Sequence, residues 1–459
     1  MRPSRRLNAL LNSAFLDLVN KRETIRERIA EFVPPVQSLP TELLEEIFTF
    51  ASPSPEELRG FTPHEAPWSL TKVCRRWRTI AESLPTLWTT VALIDPSWRY
   101  PLPLLRRQIK LSGNRPLRIH FHSARSFDCV TSLLRLLVQE SSRWQLADLR
   151  IGYDEPFILN SVRGRVPLLR SLRIEPPLLN DFYACFASAP LRHLTISNAS
   201  PSLALPWSEL ISYDGTGPAV QTLRILKKTS KLLQCRLQVF ACREASTLPH
   251  VLIPRLRKIY VQDAQILGWL VLPALEELFL LHDCVGLVLS LVRRSSCNLD
   301  KLFTFEGHTP GAVAQILAHC SSITELGMQV GWDDAAALSV LLYRLTPRGG
   351  SYAPCLAPNL TAISFAGCIT AHDVTFTQMV DMVAARWLMY ADGACQRLKF
   401  LGLFMDDVCL NPALRQSFGR LEMFRREGLQ VYIMTGPEAR WNNGRVPDCL
   451  SHWLDPITD

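Results

Sequence analysis

The sequence predicts an α+β chain in which a small all-helical domain precedes an α/β repeat solenoid, an irregular horseshoe. Three observations lead to it. Residues Leu39–Phe48, LPTELLEEIF, and Val73–Trp88, VCRRWRTIAESLPTLW, carry apolar side chains at helical spacing. A pattern of apolar, two variable, apolar, one variable, apolar then returns ten times beyond Tyr100, with first anchors 19 to 38 residues apart. Between its copies lie helix-like stretches such as Gly311–Cys320, Asp334–Leu345 and Val374–Tyr390.

Length and composition set the bounds. At 459 residues, 47% hydrophobic and 20% charged, the chain can bury a large core. Its net charge is +8, and residues 1–30 supply about half of that with seven Arg or Lys against three acids. A nucleic-acid footprint would be denser, so no nucleic-acid partner is expected. The 13 cysteines come no closer than Cys235 and Cys242 and form no C-x-x-C. Reduced core thiols are expected, which points to cytoplasm or nucleus. Asp17 interrupts the apolar part of MRPSRRLNALLNSAFLDLVN, so no export signal is expected. No run reaches the ~18 apolar residues of a membrane span.

The elements follow in order. Residues 1–34 form an amphipathic helix through Leu7, Leu11, Ala14, Leu18, Ile25, Ile29 and Phe32, either a short coiled coil or a helix packed on its own domain. Pro34-Pro35 ends it. A domain over 38–93 opens with Pro40 in the first helical turn and Glu42 at the positive end of the helix dipole. Leu43, Leu44, Ile47, Phe48 and Ala51 make a broad stripe. Residues 52–67 hold four prolines and read as a loop. A second helix from about Ser69 to Leu84 sets Leu70, Val73, Cys74, Trp77, Ala81 and Leu84 on one face, and Pro85 stops it. So small a domain has too little core to hide the whole stripe, and the surplus reads as half of an interface.

The repeat domain covers 100–435, with residues 436–459 as a C-terminal tail. Its anchors are Leu146-Leu149-Ile151, Leu169-Leu172-Ile174, Leu191-Leu194-Ile196, Val220-Leu223-Ile225 and Leu256-Ile259-Val261. They continue at Leu275-Leu278-Leu280, Leu299-Leu302-Thr304, Ile323-Leu326-Met328, Leu360-Ile363-Phe365 and Leu398-Leu401-Leu403. A short strand alternating with a helix at this period is the leucine-rich-repeat pattern, in which each unit buries its apolar side only by stacking on neighbours. Gly215-Thr216-Gly217 reads as a turn.

Chemistry is not expected. Phosphate loops, H-E-x-x-H and G-x-S-x-G are all missing, so neither catalysis, nor a cofactor, nor a metal is read from the sequence. His120 and His122 alternate on the probable strand LRIHFHS and read as a surface pair, with no third metal ligand nearby in sequence. Asp333-Asp334 and Asp406-Asp407 read as acids opening a helix or closing a strand. Arg75, Arg76 and Arg78 read as a solvated or acid-facing surface.

Leu39-Pro40, Glu42-Leu43-Leu44, Ile47-Phe48, Val73-Cys74-Arg75-Arg76-Trp77 and Leu87-Trp88 together resemble the F-box, with a longer loop at 52–67 than the common form. The whole chain resembles F-box proteins with C-terminal leucine-rich repeats, the substrate receptors of Skp–cullin–F-box ubiquitin ligases. The resemblance implies a non-catalytic subunit of ubiquitin-dependent degradation that binds a Skp-family adaptor and, through it, cullin. By position it makes Leu39, Pro40, Leu43, Leu44, Ile47, Phe48, Val73, Cys74, Trp77, Leu87 and Trp88 adaptor-facing candidates, some of which must instead form the domain's own core. The alternative is an interaction scaffold without a ubiquitin-ligase role.

Residues flanking the inward anchors should point onto the concave sheet. These are Arg150, Arg173 and Arg224 in early units, then Tyr260, Phe279, Phe303, Phe305, Phe400 and Phe404. The aromatics are either an exposed patch that recognises a target protein or a surface covered by Pro437–Asp459, with Trp441 and Trp453.

Overall fold

The structure is a computed structural model that describes residues 16, 18–24, 39–53, 64–94, 102–123, 128–151, 156–175, 180–242, 249–282, 284–305, 309–348, 355–367, 373–388, 395–405, 412–436 and 439. Most of the expected N-terminal helix lies outside these residues; its described part, with Leu16 and Leu18, is helical and exposed. Nearly all of the expected tail, with Trp441 and Trp453, lies outside them too, as do Cys368 and Asp406-Asp407. Among the described residues no helix is long and apolar enough to cross a membrane. The chain divides into two compact units, Met1–Leu117 and Arg118–Asp459.

The first unit contains helix α1 (Thr41–Phe50), α2 (Leu70–Val73), α3 (Arg75–Ser83), the 3₁₀ turn Pro85–Trp88, strand β1 (Thr90–Ile94) and α4 (Leu102–Leu111). The single second helix expected over about 69–84 is two helices. Cys74 between them is extended, with φ −156° and ψ 174°, and its Sγ accepts the Trp77 N–H at 3.4 Å, so it caps α3. The Arg78 Nε donates to the Thr71 carbonyl at 2.8 Å across the break.

In the second unit the main sheet runs through β2 (Leu117–His122), β3 (Trp144–Arg150), β4 (Ser171–Glu175), β5 (His193–Ser197), β6 (Ser212–Pro218) and β7 (Gln234–Phe240). It continues through β8 (Lys258–Val261), β9 (Glu277–Leu280), β10 (Lys301–Thr304), β11 (Glu325–Val330), β12 (Ala362–Gly367), β13 (Phe400–Met405) and β14 (Gln430–Thr435). From β3 each strand lies beside its predecessor in chain order, and onward from β3 the neighbours pair in parallel. Parallel neighbours need crossovers. In the later units these are the helices Val285–Ser295, Pro310–His319, Ala335–Leu345, Asp373–Leu388 and Pro412–Arg426, each packed on the next. An order without reversal is compatible with a solenoid.

Register shows why these sequences make these strands. One row across the sheet reads Ala147, Leu172, Leu194, Tyr213, Cys235, Ile259, Leu278, Leu302, Leu326, Ile363, Leu401 and Val431. These are the second anchors of successive units, and all but the edge residue Val431 are buried. Two units differ from the expected anchors. In β3 the true set is Trp144-Ala147-Leu149, since Ala147 pairs with Leu172 while Leu146 points to the other face. Val220, Leu223 and Ile225 lie in the helix Ala219–Leu226, and the strand of that unit is β6, with Leu210 and Tyr213 buried. Gly215-Thr216-Gly217 is therefore strand and not turn. A side chain at Gly215 would overlap the Tyr213 ring, which fills the place of the missing third anchor.

Candidate interaction surfaces

The first unit has a complete core of its own. Leu44 and Phe48 of α1 pack with Trp68, Leu70, Ile80, Ala81, Leu87 and Trp88. Phe48 meets Trp77 with ring centroids 4.9 Å apart, Trp68 meets Trp88 edge-on at 4.9 Å, and the Trp88 indole donates to the Ala81 carbonyl at 2.8 Å. Four sequence candidates thus point inward: Leu44, Phe48, Leu87 and Trp88 are buried in this core and present nothing to a partner. Leu39 and Trp77 are half-buried against it, and Cys74 is occupied in capping α3. The Arg76 guanidinium donates to the Leu39 carbonyl at 2.6 Å, tying α3 to the start of α1. Arg76 and Arg78 therefore serve backbone carbonyls of their own domain.

What remains outside is apolar. Leu43 is 45% exposed, Ile47 44%, Phe50 88% and Val73 59%, with Pro40 exposed at the head of α1. Leu43, Ile47 and Phe50 stand at i, i+4 and i+7, so they form one stripe along α1. Phe50 escaped the sequence reading, although its spacing from Leu43 and Ile47 carried the signal. Glu42, Glu45 and Glu46 share the helix and keep its other sides polar.

The sheet offers a second surface, made by the residues that alternate with the anchors. Its middle row reads Asp148, Arg173, Thr195, Asp214, Arg236, Tyr260, Phe279, Phe303, Gly327, Ser364, Gly402 and Tyr432. It is polar from β3 to β7 and aromatic from β8 to β10. In the polar part Asp148 gathers charge: His122 Nε2 lies 2.9 Å and His120 Nδ1 3.7 Å from its Oδ2, while Arg150 and Arg173 stand 3.8 and 3.9 Å from its Oδ1. Burial alone would raise the Asp148 carboxyl, but the two histidines and Arg173 outweigh it and hold the group well below the usual carboxylate range. Arg150 and Arg173 also meet Glu175, at 3.7 and 2.9 Å. The histidine pair thus belongs to a charge cluster of mixed sign, and among the described residues no group of acids, histidines or cysteines is arranged to hold a metal. Further along the row, burial pushes the Asp214 carboxyl up against the pull of Arg236 and Arg173. The Arg236 guanidinium sits 4.8 Å from the centre of the Tyr260 ring, where polar gives way to aromatic.

The aromatic part departs from the exposed patch considered from sequence. Tyr260, Phe279, Phe303, Phe305 and Phe404 are buried in one cluster, with Phe400, Tyr432 and Met434 half-buried against it. Phe279 stacks on Phe303 at 4.6 Å and 14°, and Tyr260 meets Phe305 edge-on at 6.0 Å. The remaining candidate, Arg224, is exposed on the helix Ala219–Leu226 beside a groove it shares with Lys227, Lys228 and Pro201. It does not belong to the sheet face.

No curated protein matches the chain. The segment that carries the exposed stripe of α1 and Val73 is matched by a family model: residues 36–94 are F-box-like.

Proposed function

We propose that this chain is a non-catalytic substrate receptor of a Skp–cullin–F-box ubiquitin ligase. The F-box docks on a Skp-family adaptor, and through it on cullin, by Leu43, Ile47, Phe50 and Val73, with Pro40 at the edge. The observation that carries this reading is the apolar stripe of α1, left exposed by a domain whose core is complete without it. A stripe of that kind is half of an interface. The second unit is read as a leucine-rich-repeat solenoid, an irregular horseshoe, whose open face holds a target protein near the ubiquitin-transfer machinery and raises its effective concentration there. Half-exposed Arg150 and Arg173, with Asp148 and Glu175, are the residues of that face best placed to meet a target.

A pull-down from cells tests the docking. The intact chain recovers the adaptor, and Leu43→Asp with Ile47→Asp loses it while circular dichroism stays unchanged. Retained adaptor in the folded double variant would refute the site. Cullin and ubiquitin-transfer activity in the same pull-down separate a receptor from a scaffold that only binds.

A further inference from the structure

We infer that the open groove between the helix Ala219–Leu226 and the turn at 200–203 binds an acidic peptide of a partner protein, one that presents carboxylates at alternate positions of an extended chain. The groove measures about 590 Å³, within the ~300–1,000 Å³ of ordinary ligand sites. Among the described residues that line it, Arg224, Lys227 and Lys228 are cations, Pro201 and Ser202 are neutral, and none is an acid. The fold does not use up this charge. Among the described residues Arg224 and Lys227 pair with no acid, and their exposed side chains donate to no carbonyl. Cations at a helix end often serve its last carbonyls, but here those have other donors. Leu223 accepts from the Lys227 N–H at 3.0 Å, Ile225 from the Lys228 N–H at 2.8 Å, and Leu226 from the Thr229 N–H at 3.1 Å and hydroxyl at 2.8 Å. The acids nearest in sequence are engaged elsewhere: Glu209 pairs with Lys231 at 2.6 Å, and Asp214 stands in the middle row of the sheet.

Arg224, Lys227 and Lys228 stand at i, i+3 and i+4, so they share one helix face, where like charges repel. An anion seated among them relieves that repulsion. The opposite wall is fixed before any ligand arrives. Lys228 Nζ donates to the Pro201 carbonyl at 2.5 Å, the Leu203 N–H closes the turn on the Ser200 carbonyl at 3.1 Å, and the buried Trp207 indole donates to the Leu203 carbonyl at 3.1 Å. A preformed wall lowers the cost of binding. Shape then selects the kind of anion. The Pro201 ring and the aliphatic stems of the cations make the lining mostly apolar between charged tips, which suits the backbone and methylenes of a peptide. Residues three apart on a helix hold their Cβ atoms about 5–6 Å apart, and alternate residues of an extended chain lie about 6.6 Å apart. Two carboxylates at alternate positions therefore meet Arg224 and Lys227 together. Three cations are too few for a nucleic-acid track. The groove does not depend on adaptor docking, and failure of the pull-down above would leave it standing.

Fluorescence anisotropy on the purified full chain decides it, with the fluorescein-labelled peptide GAEAEAEAG as probe and GAQAQAQAG as its neutral counterpart. At about 50 mM salt the acidic peptide should bind about tenfold more tightly than the neutral one, and Arg224→Gln with Lys227→Gln should weaken it about tenfold with circular dichroism unchanged. Lys231→Gln, already paired with Glu209, should change the affinity less than about twofold. Equal binding of the two peptides, binding of neither, or full affinity in the folded double variant would overturn the inference. A loss on Lys231→Gln as large as on the pair would overturn it too, because a diffuse basic surface would then be responsible. So would a DNA oligonucleotide that binds through Arg224 and Lys227 more tightly than the peptide, which would reassign the groove to nucleic acid. If the double variant does not fold, Arg224→Gln and Lys227→Gln taken singly decide, each with an expected loss of about threefold and with an unchanged affinity in both as the refuting result.

Discussion

Replacing Leu43 and Ile47 by alanine together should weaken adaptor binding about thirtyfold and leave the fold intact. Full burial of a leucine or isoleucine side chain is worth about 1.5–3 kcal/mol. With Leu43 45% and Ile47 44% exposed, the part still available to a partner is about 1 kcal/mol each. The pair then contributes about 2 kcal/mol, and at ~1.4 kcal/mol per decade of Kd this is roughly thirtyfold. Leu44→Ala is the control from the same helix: its side chain is fully buried, so its loss costs about 2–5 kcal/mol of folding stability. Calorimetric titration of the purified adaptor against each variant, with thermal melts alongside, separates the two effects. The reasoning fails if Leu43→Ala/Ile47→Ala binds as tightly as the parent. It fails equally if that variant melts as low as Leu44→Ala, because the stripe would then belong to the core.

Three further outcomes follow from the second unit. Asp214→Asn should stabilise the chain increasingly with pH. A carboxyl raised by burial contributes fully below its unfolded value near ~3.9 and loses that contribution as pH rises through the folded value, so the Tm advantage of the neutral variant should grow as pH rises above about 4; a constant or shrinking difference refutes it. Arg386→Met should cost at least ~3 kcal/mol in urea unfolding, because the buried guanidinium donates to the carbonyls of Leu345 at 2.8 Å, Leu356 at 2.8 Å and Ala357 at 3.1 Å, all of which would lose it; a loss under about 1 kcal/mol would show that they find other donors. Gly215→Val should destabilise by about 1–3 kcal/mol through overlap with the Tyr213 ring, and adding Tyr213→Leu should recover part of that loss by restoring an ordinary pair of anchors; strictly additive losses in urea would refute the coupling.

The sequence was legible where a side chain's size and spacing decide its place. Leu172, Leu278 and Leu401 could be read as inward anchors because a strand needs only alternation to sort its faces. The same rule failed where spacing is shared between two structures. Val220 and Leu223, three apart, fit a helix as well as a repeat unit, and the strand SYDGTGP beside them offers one large apolar residue, Tyr213, to announce itself. β7 was hidden in a similar way, because Cys235 stands at its second anchor. In β3 the large Leu146 drew the reading one position from the small, buried Ala147. The break at Cys74 had no local sign, since nothing in LTKVCRRW is a helix breaker and cysteine is not among the common caps. In the F-box-like segment the stripe was visible, but its division was not. Leu43 and Leu44 look alike in sequence; only the direction from which Trp68 and Trp88 approach makes Leu44 core and Leu43 surface.

The aromatic residues show a different limit. Alternation assigned Phe279 and Phe303 to the face away from the anchors, and the register bears out that side. Whether such a face is wet depends on what packs over it, and no local pattern encodes that. The burial of those rings changes the kind of contact that the proposed target would make. The proposed adaptor docking through Leu43, Ile47, Phe50 and Val73 would be an apolar contact, of the sort that forms durable assemblies. The solvent-reached residues on the sheet face from β3 to β7 are instead mostly polar, among them Asp148, Arg150, Arg173, Glu175, Thr216 and Gln238, with Leu146 and Phe240 as apolar exceptions. Charges already paired at 2.9 to 3.9 Å with each other contribute little further attraction, but they penalise a partner of the wrong pattern. A receptor built this way would hold its adaptor firmly and choose its target by polar fit, with binding to the target far more sensitive to salt than binding to the adaptor.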